Sequence, residues 1–361
     1  MPHPPSTASA DVVVAGAGLA GACAALVLSR TRRVVVLEPD RPGAGASGAA
    51  AGLVNPFMGR QAKPAWRHEE AVPALAALTE EAGGGLFRQA GVLRPARSAT
   101  QADAFRARSD VHTDLDWLTP AASAERWPTV AAPHGTLVVR RGGSVDPAAF
   151  ARAALATAVG RGAEVRRARL MGWRCEAGVV DAITDAGVVP ARALVLALGD
   201  GVRRLPPLAA LPLHRVKGQT VRLARPAALG PGHPAVAGEG YAVPDGEAVV
   251  VGATFEHAFD DPAPDPTLDA ALQARAAALV PSLAGVAVLE RRAGVRLTVP
   301  AAVSPRRLPL AGALPGHPGV WVVSGLGAKG LLTAPLIASG LPDALDGRAP
   351  LPAELWPPGV G

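Results

Sequence analysis

The sequence predicts a composite α/β fold, with one domain built on a parallel sheet and a smaller domain built on a mixed or antiparallel sheet. Three observations predict it: a strand–helix–strand unit near the N-terminus, a buried-strand run in the middle of the chain, and alternating runs typical of antiparallel strands. With 361 residues, 49% of them apolar and 18% charged, the chain can bury a substantial core, which excludes global disorder.

The first predicted unit lies close to the N-terminus. Asp11–Ala15 and Arg33–Leu37 each hold a short, continuous apolar run, as expected of parallel strands buried on both faces. Ala22–Arg30 lies between them and is rich in residues that favour helix. The order strand, helix, strand predicts a parallel βαβ unit.

A glycine motif, G-x-G-x-x-G, links the first strand to this helix. Gly16 permits a tight turn, Gly18 lets the backbone approach a pyrophosphate, and Gly21 lets the helix pack closely on the strand. Glu38 ends the second strand, 20 residues after Gly18, where a carboxylate accepts hydrogen bonds from ribose hydroxyls. The unit therefore predicts a Rossmann-like dinucleotide-binding domain, although the acidic residue does not choose between NAD and FAD.

The segment that follows Glu38 favours FAD. Residues 39–56 are small and almost free of bulky side chains. They resemble the "GASG…G…P" loop of FAD-dependent oxidoreductases of the D-amino-acid oxidase and glycine oxidase superfamily, in which this loop runs along the flavin's diphosphate and ring. Without the resemblance, the segment would read as a Gly/Ala surface linker.

The resemblance continues in family order along nearly the whole chain. Its further motifs occupy residues 143–147, 193–200, 213–219, 241–254, 292–296, 308–312 and 325–335. The stretches GLGAKGLLTAPL and YAVP…VVVGATF are most similar to the oxidase half of the bifunctional tRNA-modifying enzyme MnmC, with glycine oxidase close behind. The family's "RPxTPD" reads Arg296-Leu-Thr-Val-Pro-Ala here, so the geometry of that loop is open.

The resemblance implies FAD, held non-covalently because no cysteine follows Cys175 and no histidine lies between Ser47 and His68. The implied FAD-binding residues are Gly16, Gly18, Leu19, Ala20, Gly21, Glu38, Pro39, Ala46, Ser47, Gly52, Leu53, Val165, Ala197, Gly199, Gly325, Gly327, Ala328, Lys329, Gly330 and Leu331. We expect no metal, because the histidines show no ligand spacing and two cysteines are too few for a cysteine-rich site.

The motif order makes the FAD-binding domain discontinuous. We expect it to comprise residues 11–85, 143–210 and 293–361, with a substrate domain of residues 86–142 and 211–292 and a disordered N-terminus of residues 1–10. The segment before the first strand has no Lys or Arg, unlike a secretory signal, and no segment predicts a membrane span. We therefore expect a cytoplasmic protein, and the sequence leaves its oligomeric state open.

Three catalytic candidates come from the resemblance, each with a structural alternative. Arg296 would bind a substrate carboxylate, since a guanidinium can hold a carboxylate through two hydrogen bonds, or else form a structural ion pair. Tyr241 would place its hydroxyl over the flavin, or else pack as a half-buried sheet aromatic. Lys329 would add positive charge near the flavin or substrate, or else be a solvated turn lysine.

These residues imply an FAD-dependent oxidoreductase that oxidises the C–N bond of a glycine-like amine, N–CH2–COO⁻, by hydride transfer to flavin, after which the imine hydrolyses. The substrate would be a free amino acid or an N-substituted glycine. The alternative is a tRNA-modifying oxidase that removes the carboxymethyl group of carboxymethylaminomethyl-uridine, with Arg60, Lys63 and Arg67 at a wide entrance. The net charge of +6, spread in basic runs of no more than two, does not itself establish an RNA partner. A non-catalytic FAD-binding protein is a third possibility, and the electron acceptor, oxygen or a quinone, is open.

Overall fold

The computed structural model describes residues 9–230 and 232–360. Its strands are β1 (Ala10–Ala15), β2 (Val34–Leu37), β3 (Leu53–Val54), β4 (Phe57–Met58), β5 (Lys63–Pro64), β6 (Val92–Pro95), β7 (Leu115–Leu118), β8 (Thr136–Val139), β9 (Gly143–Ser144), β10 (Glu164–Arg166), β11 (Leu170–Glu176), β12 (Val179–Thr184), β13 (Gly187–Leu196), β14 (His214–Ala224), β15 (Ala235–Ala237), β16 (Tyr241–Asp245), β17 (Ala248–Gly252), β18 (Val288–Thr298), β19 (Leu310–Ala313) and β20 (Val320–Ser324).

The α-helices are α1 (Leu19–Leu28), α2 (Ala46–Ala49), α3 (His68–Glu81), α4 (Ala99–Ser109), α5 (Pro120–Arg126), α6 (Pro147–Gly160), α7 (Asp269–Ala277) and α8 (Gly330–Leu345). Short 3-10 helices occupy Gly199–Arg204, Pro206–Leu208, Pro266–Leu268, Pro281–Leu283 and Ala353–Leu355.

The first sheet has the strand order β10-β2-β1-β13-β12-β11, and β20 pairs with β13 and β19 with β20. The pairs among β10, β2, β1, β13 and β20 are parallel. Val12 and Val14 pack with α1, α3, α6 and α8 on one face, while Val13 packs on the other, which explains the continuous apolar run of β1. The predicted Rossmann-like parallel sheet is confirmed.

Helix α6 shows how local sequence sets one boundary of this layer. The side chain of Asp146 accepts hydrogen bonds from the backbone N–H of Ala148 (2.9 Å) and Ala149 (3.1 Å), and Pro147 is the first helical residue. An N-cap carboxylate satisfies N–H groups that have no partner within the helix, and proline has no N–H to satisfy there. The helix therefore begins at Pro147.

The second sheet has the order β18-β14-β17-β16-β15-β6-β8-β7. Its pairs are antiparallel except for the parallel pair β15–β6. Val221, Val249 and Val251 pack beneath α7 on one face. The opposite face turns Gly218, Thr220 and other residues toward a cavity between the two sheets. The predicted mixed or antiparallel second sheet is also confirmed.

Two predicted boundaries need correction. Residues 293–298 belong to the second sheet, because β18 pairs with β14 along its length, with Arg296 opposite Val216 and Glu290 opposite Arg222. A boundary at residue 293 therefore cuts through a strand. Ala10, predicted to be disordered, begins β1 and pairs with Ala191, while residues 1–8 lie outside the described part of the chain.

Candidate active site

A cavity of about 1180 Å³ lies between the two sheets. The ends of β1 and β2, the loop around residues 44–53, and β14 and β18 of the second sheet form its walls. This volume exceeds the roughly 300–1,000 Å³ of a pocket for one small ligand. The cavity also meets the carboxyl ends of parallel strands, where α/β folds bind nucleotides. Its size and position therefore suit a dinucleotide and a substrate together.

The glycine turn forms one end of the cavity. A Cβ atom at Gly16 would lie 2.4 Å from the carbonyl oxygen of Ala197, and one at Gly21 would lie 1.8 Å from that of Gly16. A Cβ atom at Gly18 would meet nothing nearer than the Ser47 Oγ, at 3.5 Å. Gly16 and Gly21 thus let the backbone pack, whereas Gly18 faces open space along the cavity wall. A diphosphate fits against this surface.

The carboxylate of Glu38 is held beside the same turn. It accepts hydrogen bonds from the backbone N–H of Ala17 (2.8 Å) and of Asp40 (3.0 Å). The Ser47 hydroxyl in turn accepts one from the N–H of Leu19 (3.0 Å). These bonds fix the acidic residue and the small-residue loop beside the α1 N-terminus.

The structure brings most of the predicted cofactor residues to the cavity wall. Those that line it are Gly16, Gly18, Leu19, Ala20, Glu38, Pro39, Ala46, Ser47, Gly52, Leu53, Ala197, Gly199, Gly325, Gly327, Ala328, Lys329, Gly330 and Leu331. Gly21 lies behind the turn. Val165 is 40% exposed on β10, where it pairs with Val36, and does not line the cavity. Arg169 and Leu170, a few residues farther along the chain, line the cavity.

Arg296 projects into the cavity from β18. Its Nη2 donates to the carbonyl oxygen of Thr254 (3.0 Å), and its Cζ lies 4.4 Å from the centre of the Phe255 ring. Burial lowers the pKa of this guanidinium. Within the described residues, no carboxylate lies within 4.0 Å of it, so the ion-pair alternative has no partner there. A half-buried guanidinium without a carboxylate can bind one from a substrate.

Tyr241 lies at the start of β16, opposite Gly252 of β17. A Cβ atom at Gly252 would be 2.8 Å from the tyrosine hydroxyl, so the glycine leaves space for it. Burial raises the pKa of Tyr241 to about 12, against a lowering by the charge of Arg296. The hydroxyl is therefore protonated near neutral pH and can donate a hydrogen bond. The ring also packs against a hydrophobic cluster that includes Phe57 and Val139.

Lys329 precedes α8 and lines the cavity. Its Nζ donates to the carbonyl oxygens of Arg306 (2.8 Å) and Arg307 (3.5 Å). Burial, with the charges of Arg306 and Arg307, lowers the pKa of this ammonium group. The side chain thus holds the loop that follows β18. This role differs from both expectations, a charge beside the flavin and a solvated turn lysine. A role of Lys329 beside the flavin stays a prediction.

Sequence reasoning described one end of the cavity only in part. Of the residues expected at a wide entrance, Arg60 lines the cavity, whereas Lys63 and Arg67 do not. Arg94, Arg97 and Glu239, which the sequence did not indicate, line it together with Arg60. These positions depend on the pairing of β15 with β6, which no local pattern indicates. Gly218, which belongs to the motif at residues 213–219, leaves room for the Arg296 guanidinium, because a Cβ atom there would lie 2.6 Å from Nη1 of Arg296.

We expect Gly218→Ala to displace the Arg296 guanidinium while leaving FAD bound, because the added methyl group would occupy its position. A misplacement of about 1 Å in a site can cost on the order of 10²-fold in rate. Steady-state kinetics with a carboxylate-bearing amine, at equal flavin content, measures the loss. Gly172→Ala is the matched control, since a Cβ atom there meets nothing within 4 Å. Equal kcat/KM in the two variants would contradict the placement of Arg296.

Over residues 9–230 and 232–360, no helix is long and apolar enough to cross a membrane. The same part of the chain has no group of three or more His, Cys, Asp or Glu side chains placed to hold a metal ion.

The chain is similar in sequence to two kinds of known protein. The chain is 35% identical over 378 residues to the tRNA 5-methylaminomethyl-2-thiouridine biosynthesis bifunctional protein MnmC of Thiobacillus denitrificans, covering 97% of this chain and 58% of that protein. The chain thus spans little more than half the length of such relatives. It is 30% identical to the glycine oxidase of Pseudomonas aeruginosa, covering 97% of this chain and 99% of that enzyme.

A crystal structure of glycine oxidase from Geobacillus kaustophilus superimposes with a TM-score of 0.83 and 25% sequence identity, covering 98% of this chain and all of that one. The family model for FAD dependent oxidoreductases matches residues 11–341, which includes both sheets and the cavity between them. The resemblance read from the motifs is thereby confirmed, and the chain belongs to the DAO family of FAD dependent oxidoreductases.

Proposed function

We propose that this FAD-dependent enzyme oxidises the C–N bond of a glycine-like amine, N–CH2–COO⁻, such as a free amino acid or an N-substituted glycine. One observation carries the proposal: a half-buried arginine, Arg296, enters the cavity beside Tyr241 and, within the described residues, lacks a carboxylate partner. A small amine that bears a carboxylate complements this pair.

The two side chains have separate tasks. The Arg296 guanidinium binds the substrate carboxylate through parallel hydrogen bonds, which also fixes the orientation of the α-carbon. The Tyr241 hydroxyl, kept protonated by burial, donates to the same carboxylate. The Phe255 ring, 62% exposed, lies over the guanidinium with its centre 4.4 Å from Cζ. Arg296 itself is half-buried, and a partly desolvated charge interacts more strongly with an opposite charge than one in bulk water.

FAD, when bound, supplies the acceptor for a hydride from the α-carbon, while the amine lone pair forms the C=N bond of an imine that water then hydrolyses. The first turn of α8 and the glycines before it line the cavity, so the positive end of that helix dipole favours negative charge there. Cys23 is buried within α1 and Cys175 lies on β11; neither lines the cavity, which favours non-covalent binding.

The visible spectrum of the purified protein tests this proposal. We expect a flavin spectrum that bleaches when glycine or sarcosine is added without oxygen, because electrons then accumulate on the flavin. Admission of air then tests oxygen as the acceptor. A flavin that stays oxidised with every carboxylate-bearing amine, while still being reduced by dithionite, would contradict the proposal and favour a non-catalytic FAD-binding protein.

A second candidate is oxidation of a carboxymethylaminomethyl group on tRNA. The 35% identity to a protein of tRNA 5-methylaminomethyl-2-thiouridine biosynthesis supports it, as do the arginines at one end of the cavity. The chemistry at the N–CH2–COO⁻ fragment is the same, and only the group on nitrogen differs. Bleaching by RNA that carries this modification, with none by glycine, would establish the second candidate in place of the first.

A further inference from the structure

Two arginines at the outer end of the cavity share one carboxylate. Arg97 forms an ion pair with Glu239, and Nη2 of Arg60 lies 4.0 Å from the same carboxylate. All three side chains are about half exposed or more. Such exposed pairs contribute little stability, so a competing anion can displace the carboxylate at small cost. Glu239 lies between Gly238 and Gly240, in the short turn between β15 and β16.

The backbones of Arg60 and Arg97 are also linked by hydrogen bonds that do not involve Glu239. The Gln101 side chain donates from Nε2 to the carbonyl oxygen of Arg60 (2.8 Å) and accepts at Oε1 from the N–H of Arg97 (3.0 Å). The Ser98 hydroxyl caps α4 by accepting from the N–H of Gln101 (3.2 Å). The first turn of α4 lines the cavity here, so its positive dipole end adds to the two charges.

A buried arginine reinforces this positive charge. Arg94 is 5% exposed, lines the cavity and, within the described residues, has no carboxylate within 4.0 Å. It donates to the carbonyl oxygens of Phe57 (2.6 Å) and Gly59, whereas its Nε has no partner in the described part of the chain. It therefore supports the turn that carries Arg60 and leaves a positive charge there without a counter-charge.

This outer group lies on the other side of Tyr241 from β18. Glu239 is in the short turn between β15 and β16, two residues before Tyr241, and Arg94 is on β6, five strand steps from β18 in the second sheet. Arg60, Arg97 and Glu239 line the same cavity as Arg296. A ligand that holds its carboxylate at Arg296 and also reaches the outer arginines carries a second anionic group on its nitrogen substituent.

We propose that Arg60 and Arg97, with the first turn of α4, form a phosphate-binding subsite that Glu239 occupies until a phosphate on the substrate's nitrogen substituent displaces it. This inference rests on the proposed function, since the substrate is the same N-substituted glycine. Phosphate fits better than a second carboxylate, because Glu239 reaches Arg97 closely but lies 4.0 Å from Arg60. A tetrahedral anion with up to two charges can bond both guanidinium groups at once.

Calorimetric titration of the FAD-loaded protein with uridine 3′,5′-bisphosphate tests the subsite, with uridine as the uncharged reference. Bound FAD prevents the probe from occupying the cofactor site. We expect the bisphosphate to bind more tightly than uridine, Arg97→Ala to weaken it about tenfold, and Glu239→Gln to strengthen it severalfold, since the competing charge is removed. Arg106→Ala, which removes a charge from the same helix outside the cavity, is the matched control.

Equal weakening by Arg97→Ala and Arg106→Ala would show only general attraction and overturn the subsite, as would unchanged binding in Glu239→Gln. Glycerol 3-phosphate distinguishes the sources of the phosphate. If it binds as tightly as the nucleotide and is equally sensitive to Arg97→Ala, a small phosphorylated amine is the ligand; if the nucleotide binds more tightly, the phosphate belongs to nucleic acid. The titration needs no turnover, so failure of the proposed oxidation and failure of this subsite are distinguishable.

Discussion

Arg296→Ala is expected to purify with full FAD and to lose its affinity for carboxylate-bearing amines. The guanidinium lies in the cavity wall, donates to the Thr254 carbonyl and lies over the Phe255 ring, and its removal breaks no ion pair in the described residues. Truncating one partner of a desolvated charge pair costs about 2–5 kcal/mol. Reductive half-reaction kinetics, at a range of substrate concentrations, separates this loss in binding from any loss of flavin.

Two further variants serve as controls for Arg296→Ala. Arg296→Lys keeps a positive charge but not the planar pair of donors, so we expect an intermediate loss. Arg291→Ala removes an arginine of the same strand that pairs with Asp269 outside the cavity, and we expect it to behave like the parent protein. Equal rates in Arg296→Ala and the parent would remove the central assignment of the proposed function.

The first sheet could be predicted because its information is local. The glycine turn, α1 and the acidic end of β2 lie within residues 10–38, and each residue's role follows from its neighbours in sequence. Positions farther along the chain came from the order of motifs in a resemblance. That route placed Arg296 and Tyr241 in one cavity, as the structure does, although their strands are not adjacent.

What the sequence did not predict depends on pairings between distant strands. Residues 293–298 join the second sheet because β18 forms a long antiparallel pair with β14, and no composition change marks that boundary. The outer arginines come together through Gln101 and through the loop that follows β15, a parallel neighbour of β6. The observed contacts of Lys329 were not predicted for another reason. Its ammonium group binds two carbonyl oxygens of the loop that follows β18, and the sequence left the geometry of that loop open.

Gly18→Val is expected to fold normally and to purify without FAD. The structure makes this the most informative of the three motif glycines, because Cβ atoms at Gly16 and Gly21 would collide with backbone carbonyls, whereas one at Gly18 meets nothing nearer than 3.5 Å. A valine side chain there would extend into the space that a pyrophosphate needs. Flavin absorbance per protein, measured after incubation with excess FAD, reports the loss.

A second glycine provides the control for Gly18→Val. Gly160→Val adds the same side chain at the end of α6, where a Cβ atom meets nothing within 4 Å, and we expect full flavin content. Circular dichroism and the thermal midpoint separate a blocked site from a misfolded chain, since only a blocked site leaves both near the parent values. If Gly18→Val still binds stoichiometric FAD, the diphosphate does not lie against this turn, and the Glu38 carboxylate loses its expected ribose partner as well.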